Sequence, residues 1–309
     1  MVPLDHSNTA PNPPFPELEV RRLRNELAPG LIDNTIVILV AMKPEAMPIV
    51  EALGMELVGR LHPCYPIEHY SSEKQPHIHL VINGVCPRFG VDNVASQPAT
   101  IAAFLCIEKL HPSILLNAGT AGGFQSAGSS IGDVYLSYPK VYFHDRRIPI
   151  PGFQEFGLGS YPCPDVRPIA KALGVKTGSV STGNSLSSIT EDLDIMKGYE
   201  GRAKDMEAAA IAWVAEQHHV PFFAIKAITD LVDTDKPVQE AFLENLVTAS
   251  AHLALKTVDV VEYLESYGLP SVDGTETRGH RSTTLNEREP TASRKDIQAR
   301  GILKPAARP

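Results

Sequence analysis

Six short runs rich in aliphatic and β-branched residues recur along the chain: Thr35 to Ala41, His77 to Ile82, Ser113 to Asn117, Gly132 to Ser137, Thr177 to Ser181 and Phe222 to Thr229. Each has the length of a strand. The segments Val91 to Leu110, Ala208 to His219 and Val238 to Tyr267 instead place apolar residues at three- and four-residue spacing, as amphipathic helices do. Strands alternating with helices predict an α/β domain with a mostly parallel sheet. No period of 20 to 50 residues repeats, which excludes solenoids and propellers. The longest apolar stretches, Ile36 to Met42 and Ala208 to Ala215, fall well short of the roughly 20 residues a spanning helix needs, so no membrane is expected as a partner.

A chain of 309 residues with 43% apolar side chains can bury a core without covalent staples. Cys64, Cys86, Cys106 and Cys163 show no zinc-site spacing, so reduced thiols, an intracellular setting and no metal are expected. Residues 1–30 hold six prolines and read as an extended lead-in without the apolar core of a secretory signal. From Ser271 to Pro309, eight Lys or Arg stand against five Asp or Glu, in a composition expected of a disordered basic tail. The formal charge of −8 is therefore concentrated between these ends, in a domain expected to span 31–270. An acidic core is a poor general binder of phosphate backbones, which argues against nucleic acid as a partner.

In parallel sheets, ligands bind beyond the carboxyl ends of the strands. Four stretches occupy such places: Ala41-Met42-Lys43-Pro44-Glu45, Asn117 to Gly123, Lys204-Asp205-Met206-Glu207, and Thr229-Asp230. Each has a plain structural reading as well. Glu45 follows a proline where acids favour a helix start, and Glu207 could be a first-turn acid in the same way. The glycines at 119, 122 and 123 could form a tight strand-to-helix turn. They match neither a P-loop nor a dinucleotide fingerprint. Asp230 could form an Asx-turn, although an acid ending an apolar strand is costly to desolvate.

Taken in order, these strings resemble the nucleoside phosphorylase and nucleosidase superfamily, and within it the plant-type 5′-methylthioadenosine nucleosidases. The likeness runs from about residue 33 to 266. It includes His144-Asp145-Arg146-Arg147-Ile148-Pro149-Ile150-Pro151, Ser181-Thr182-Gly183 and Lys226-Ala227-Ile228-Thr229-Asp230-Leu231-Val232-Asp233. The resemblance implies a three-layer α/β/α fold with a central mixed, mostly parallel sheet. It also implies hydrolysis of 5′-methylthioadenosine to adenine and 5-methylthioribose, in methionine salvage, through an oxocarbenium-like transition state. Asp230 would protonate adenine N7, and Glu45 would activate water. Glu207 would accept a bond from a ribose hydroxyl, with Met206 packing on the sugar and Thr120 and Gly122 lining its other side. Leu186 and Ser187, within the segment from Asn184, would wall the adenine. Lys204 and Asp205 belong to the same substrate-binding motif.

The resemblance further implies a cytoplasmic homodimer with no cofactor, in which Phe153 or Phe156 reaches the partner's pocket. Core packing within one chain is the alternative for each phenylalanine. The His218-His219 pair reads as a helix-end cap. Two departures from the family pattern stand out: Asn184 where plant relatives commonly carry aspartate, and Cys86-Pro87-Arg88-Phe89-Gly90 in place of a glycine-rich run. S-adenosylhomocysteine is a possible further substrate. Two other functions remain open. A phosphate-dependent phosphorylase shares the fold, although Glu45 and Asn117 stand where several phosphorylases carry arginines that grip phosphate. Retention of Glu45, Glu207 and Asp230 argues against an inactive storage relative and leaves an inactive nucleoside binder open.

Overall fold

The structure is a computed structural model, and it describes residues 34–270. The lead-in at 1–30 and the basic tail at 271–309 lie outside the described residues, as do 31–33. Strands are β1 (Ile36–Val40), β2 (Glu56–Arg60), β3 (Glu68–Ser72), β4 (Gln75–Ile82), β5 (Ile114–Gly123), β6 (Val134–Phe143), β7 (Tyr161–Pro162), β8 (Lys176–Thr182), β9 (Gly201–Asp205) and β10 (Phe222–Leu231). Helices are α1 (Lys43–Ala52), α2 (Ser96–Leu110), α3 (Phe153–Leu158), α4 (Arg167–Leu173), α5 (Thr190–Gly198), α6 (Ala208–Gln217) and α7 (Val238–Tyr267).

One mixed sheet organises these elements. β4, β1, β5 and β10 run parallel to one another, as do β6, β8 and β9. The two parallel groups join through antiparallel pairings of β10 with β6 and β5 with β9, so β5, β10, β6, β8 and β9 close on themselves. β3 and β2 extend the open edge as an antiparallel hairpin. Cover on both faces explains the unbroken apolar runs. β1 is buried along its whole length and β10 is buried up to its last residue, because helices or other strands cover both faces. α7 packs on β10 and β5 with α1 and α4 beside it, while α2 and α6 pack together elsewhere on the sheet.

Three local readings change. The glycine run does not turn after the third apolar run: β5 continues through Gly123, and Gly122 and Gly123 pair with Lys204 and Ala203 of β9. α2 begins at Ser96 rather than Val91, because residues 84–93 form a loop tied by an Asn93 N–H bond to the Gly84 carbonyl and a Val85–Asp92 bridge. β2, β3 and β9 are strands that carry no apolar run, and they form through pairing with neighbours.

Phe223 sits fully buried in the middle of β10. Phe223→Ala is expected to lower unfolding free energy by about 3–5 kcal/mol, the usual cost of emptying an aromatic core position, as measured by urea denaturation. A loss under about 1 kcal/mol would contradict this packing.

Candidate active site

The carboxyl-terminal ends of β1, β5, β9 and β10 surround one cleft of about 240 Å³. Glu45, Thr120, Gly122, Leu186, Lys204, Asp205, Met206, Glu207 and Asp230 all line it. The carboxyl groups at 45 and 230, far apart in the chain, thus face a shared space. Ser187 is exposed and does not line the cleft; of the segment 184–187 only Leu186 reaches it.

Glu45 stands in the first turn of α1, just beyond β1. One oxygen, Oε1, accepts bonds from the Thr120 backbone N–H (2.7 Å) and hydroxyl (2.6 Å), while Oε2 accepts the Met42 N–H at 3.3 Å. The capping position expected of an acid there and the turn toward the cleft are therefore the same conformation. Burial raises the Glu45 pKa. The bonds from Thr120, the charge of Lys226 and the bond from Met42 pull the other way.

Asp230 lies near the end of β10, where its Oδ1 accepts the Thr229 hydroxyl at 2.8 Å. Burial raises its pKa too, against that bond and the charge of Lys204, so this carboxyl is biased toward holding a proton. Gly122 leaves room for it: a Cβ there would fall 2.7 Å from Asp230 Oδ2 and 2.5 Å from Val232 Cγ1. Lys204 is buried, and its Nζ donates to the carbonyls of Ser185 (2.7 Å) and Leu186 (2.8 Å), fixing the loop that carries Leu186.

Glu207 precedes α6, and its Oε1 accepts the Ala95 N–H at 2.7 Å. Ala95 adopts φ +74° and ψ −177°, a positive-φ extended conformation that costs a residue with a Cβ about 1–3 kcal/mol and persists where its surroundings dictate it. Burial, then the charge of Asp205, raises the Glu207 pKa to about 7. Asp205 is occupied by the protein itself. Its Oδ1 accepts the Thr182 hydroxyl (2.6 Å), and its Oδ2 meets the Ala208 N–H (2.8 Å) and the Lys226 ammonium (2.8 Å).

Sequence reasoning named no role for Lys226, although a lysine inside Phe222 to Leu231 is a visible anomaly in an apolar strand. Met42, Val94, Val232 and Phe242 were also missed as lining residues. Apolar side chains from a loop and from α7 carry no local mark of facing a cleft. Asn184, by contrast, does not line the cleft. Its amide donates to Asp145 and accepts from Ser96, so its lack of charge acts on a loop contact. Arg88 is exposed, with its guanidinium over the Phe89 ring.

Two buried carboxyl groups with different hydrogen-bond partners, one of them held by three donors, and a further acid beside apolar walls make a site suited to cleaving a polar bond of a partly apolar small molecule. Residues 35–262 match the model of the phosphorylase superfamily, and the chain belongs to that family. Within it, the chain is 39% identical over 242 residues to a 5′-methylthioadenosine nucleosidase of Arabidopsis thaliana, covering 76% of this chain and 89% of the relative. It is 38% identical over 239 residues to an Arabidopsis 5′-methylthioadenosine/S-adenosylhomocysteine nucleosidase, covering 75% and 92%. The solved apo structure of the Arabidopsis 5′-methylthioadenosine nucleosidase superposes with a TM-score of 0.72 at 38% identity, over 75% of this chain and 96% of that one. The chain thus stands with the plant-type 5′-methylthioadenosine nucleosidases.

Two measurements check this geometry. Gly122→Ala is expected to cost about 1–3 kcal/mol in chemical denaturation, because its Cβ collides with Asp230 and Val232. Glu207 has a folded pKa above the ordinary carboxyl value of 4.5, so its contribution to stability is present below about pH 4.5 and is lost as pH rises toward 7. Glu207→Gln should remove that part of the loss, making its stability curve flatter than the wild type over this window; parallel curves would refute the assignment.

Proposed function

We propose that this protein hydrolyses the N-glycosidic bond of 5′-methylthioadenosine, releasing adenine and 5-methylthioribose. The observation that carries the reading is the convergence of Glu45 and Asp230 on one cleft from separate strand ends. Adenine is a poor leaving group as an anion. In this reading Asp230 gives its proton to N7 as the bond breaks, so a neutral base departs. Glu45 takes the proton of the water that attacks the developing oxocarbenium carbon. Glu207 accepts a ribose hydroxyl, Met206 packs on the sugar, and Thr120 with Gly122 borders it. Lys204 holds the loop of Leu186 as the adenine wall. Val94, Val232 and Phe242 offer apolar surface suited to an alkylthio group.

Hydrolysis is favoured over phosphorolysis by the charges at the cleft. The carboxylate of Glu45 repels phosphate, and the Asn117 amide donates to the Leu39 carbonyl at 3.0 Å within the sheet. Arg88 does not line the cleft, so it offers no phosphate grip there. The names of both Arabidopsis relatives support the nucleosidase reading, and the second supports S-adenosylhomocysteine as a further substrate to assay. The retained acids speak against a storage role. In our reading the enzyme works without a cofactor as a cytoplasmic homodimer. Phe153 and Phe156, both exposed and stacked edge to face at 6.4 Å, supply the surface that reaches the partner's cleft. Among the described residues, no helix is long and apolar enough to cross a membrane.

Adenine release from 5′-methylthioadenosine tests the reading. Asp230→Asn and Glu45→Gln should each lower turnover at least about a hundredfold, the scale of removing a positioned acid or base. Added phosphate should leave the rate and the product, free 5-methylthioribose, unchanged. A phosphate requirement, or near-normal turnover in either variant, would overturn it.

A further inference from the structure

Four ionisable side chains lie buried at or just behind the cleft: Glu45, Asp205, Glu207 and Lys226, at 3%, 3%, 8% and 1% exposure. They come from four different elements, α1, β9, the start of α6, and β10. Three are acids and one is a cation. Burying so many carboxylates is costly unless a positive charge and hydrogen bonds compensate them. Lys226 does not itself line the cleft, so its buried charge is not explained by direct contact with a substrate there.

The geometry shows what Lys226 faces. Its ammonium lies 2.8 Å from Asp205 Oδ2, and both side chains are shielded from solvent. On its other side is Gly119: a Cβ built there would lie 3.2 Å from Lys226 Nζ and 3.7 Å from each oxygen of Glu45. The absent side chain leaves a gap through which cation and carboxylate face each other. Asp205 is anchored in turn by the Thr182 hydroxyl and the Ala208 N–H, which fix it at the start of α6.

We propose that Lys226 is the positioning cation of the water-activating half of the site: anchored by Asp205 and aimed past Gly119, it keeps Glu45 ionised. Asp205 then serves as the anchor of that cation rather than as a ligand of the substrate. The proposal rests on the nucleosidase reading, in which Glu45 must be a carboxylate to accept a proton from water. Burial works against that state, and Lys226 offsets it for Glu45 and for Glu207, while Asp205 adds negative charge beside Glu207. Thr120 and Met42 are the other groups holding Glu45. Lys204 and Asp230 face the same cleft and interact electrostatically, and Lys204 is tied to the Leu186 loop.

The test is the pH dependence of kcat/KM for adenine release in wild type, Lys226→Met, Lys226→Arg, Asp205→Asn and the double variant Asp205→Asn/Lys226→Met. Removing the cation should move the acid limb of the profile up by at least about one pH unit. Removing the anchor's negative charge should move it down. The double variant restores the net charge and should return the limb to near its wild-type position, as should the arginine. A role in packing alone would lower rates without moving the limb, and that result would overturn the proposal. So would shifts of the same sign in Lys226→Met and Asp205→Asn, or a double variant no nearer wild type than Lys226→Met.

Melting temperature against pH gives a readout that needs no turnover. Lys226→Met should lose stability more steeply than wild type as pH rises, and the double variant should follow the wild type; parallel curves would refute the charge role. If the wild type releases no adenine, the nucleosidase reading fails while these curves still judge the cation. Should Lys226→Met not fold, the downward limb shift of Asp205→Asn and the wild-type limb of Lys226→Arg decide the question, and absence of either result overturns it.

Discussion

The antiparallel contact between β5 and β9 is the constraint on which the site depends. Gly122 and Gly123 pair with Lys204 and Ala203, and β5 also pairs with β10 along most of its length. One strand therefore brings the Lys204 to Glu207 segment and the Asp230 end of β10 to the same edge. Glycine is needed at 122 because the carboxyl of Asp230 takes the volume a side chain would fill. Without that close approach the two strand ends would be separate features on a large sheet, and no cleft would hold both acids.

Once the ends meet, a single physical effect makes conflicting demands. Burial raises the pKa of Glu45, Glu207 and Asp230 alike. For Asp230 this suits a proton donor, and one hydroxyl from Thr229 leaves it short of hydrogen bonds to the charged form. For Glu45 it opposes the state a base requires. The difference between the two is made by neighbours: Glu45 receives two bonds from Thr120 and one from Met42 and faces a cation. In the proposed reading, a donor and an acceptor of protons occupy one apolar cleft because each carboxyl has a different set of partners.

The same placement separates water chemistry from phosphate chemistry. A phosphorylase needs fixed positive charge open to the cleft; here Lys226 is paired with Asp205 behind the wall, and the Lys204 ammonium at the cleft is held by the carbonyls of Ser185 and Leu186. The Asn117 side chain, which would have to turn toward an anion, instead joins β5 to the Leu39 carbonyl of β1. The scaffold is thus compatible with either reaction, and the side chains lining it decide which nucleophile is tolerated.

How much of this was legible beforehand varies from residue to residue. The runs that became β1 and β10 were visible because strands covered on both faces need near-continuous apolar sequence, and those of β4, β5, β6 and β8 were visible through short stretches of aliphatic or β-branched residues. The strings ending at Glu45, Glu207 and Asp230 were visible because acids beside buried strands are unusual. β9 was not: Gly201–Asp205 has little apolar character and becomes a strand only by pairing on both sides with β8 and β5. Nor was the role of the glycines at 119 and 122, since what they make room for lies on α1 and β10. The chain by itself determined the α/β class and the chemical groups at hand, because periodicity and residue type are local properties. Which groups share a cleft, which carboxyl faces Lys226, and where Asp205 directs its oxygens were decided only by closure of the sheet, because those depend on distances between residues remote in the chain.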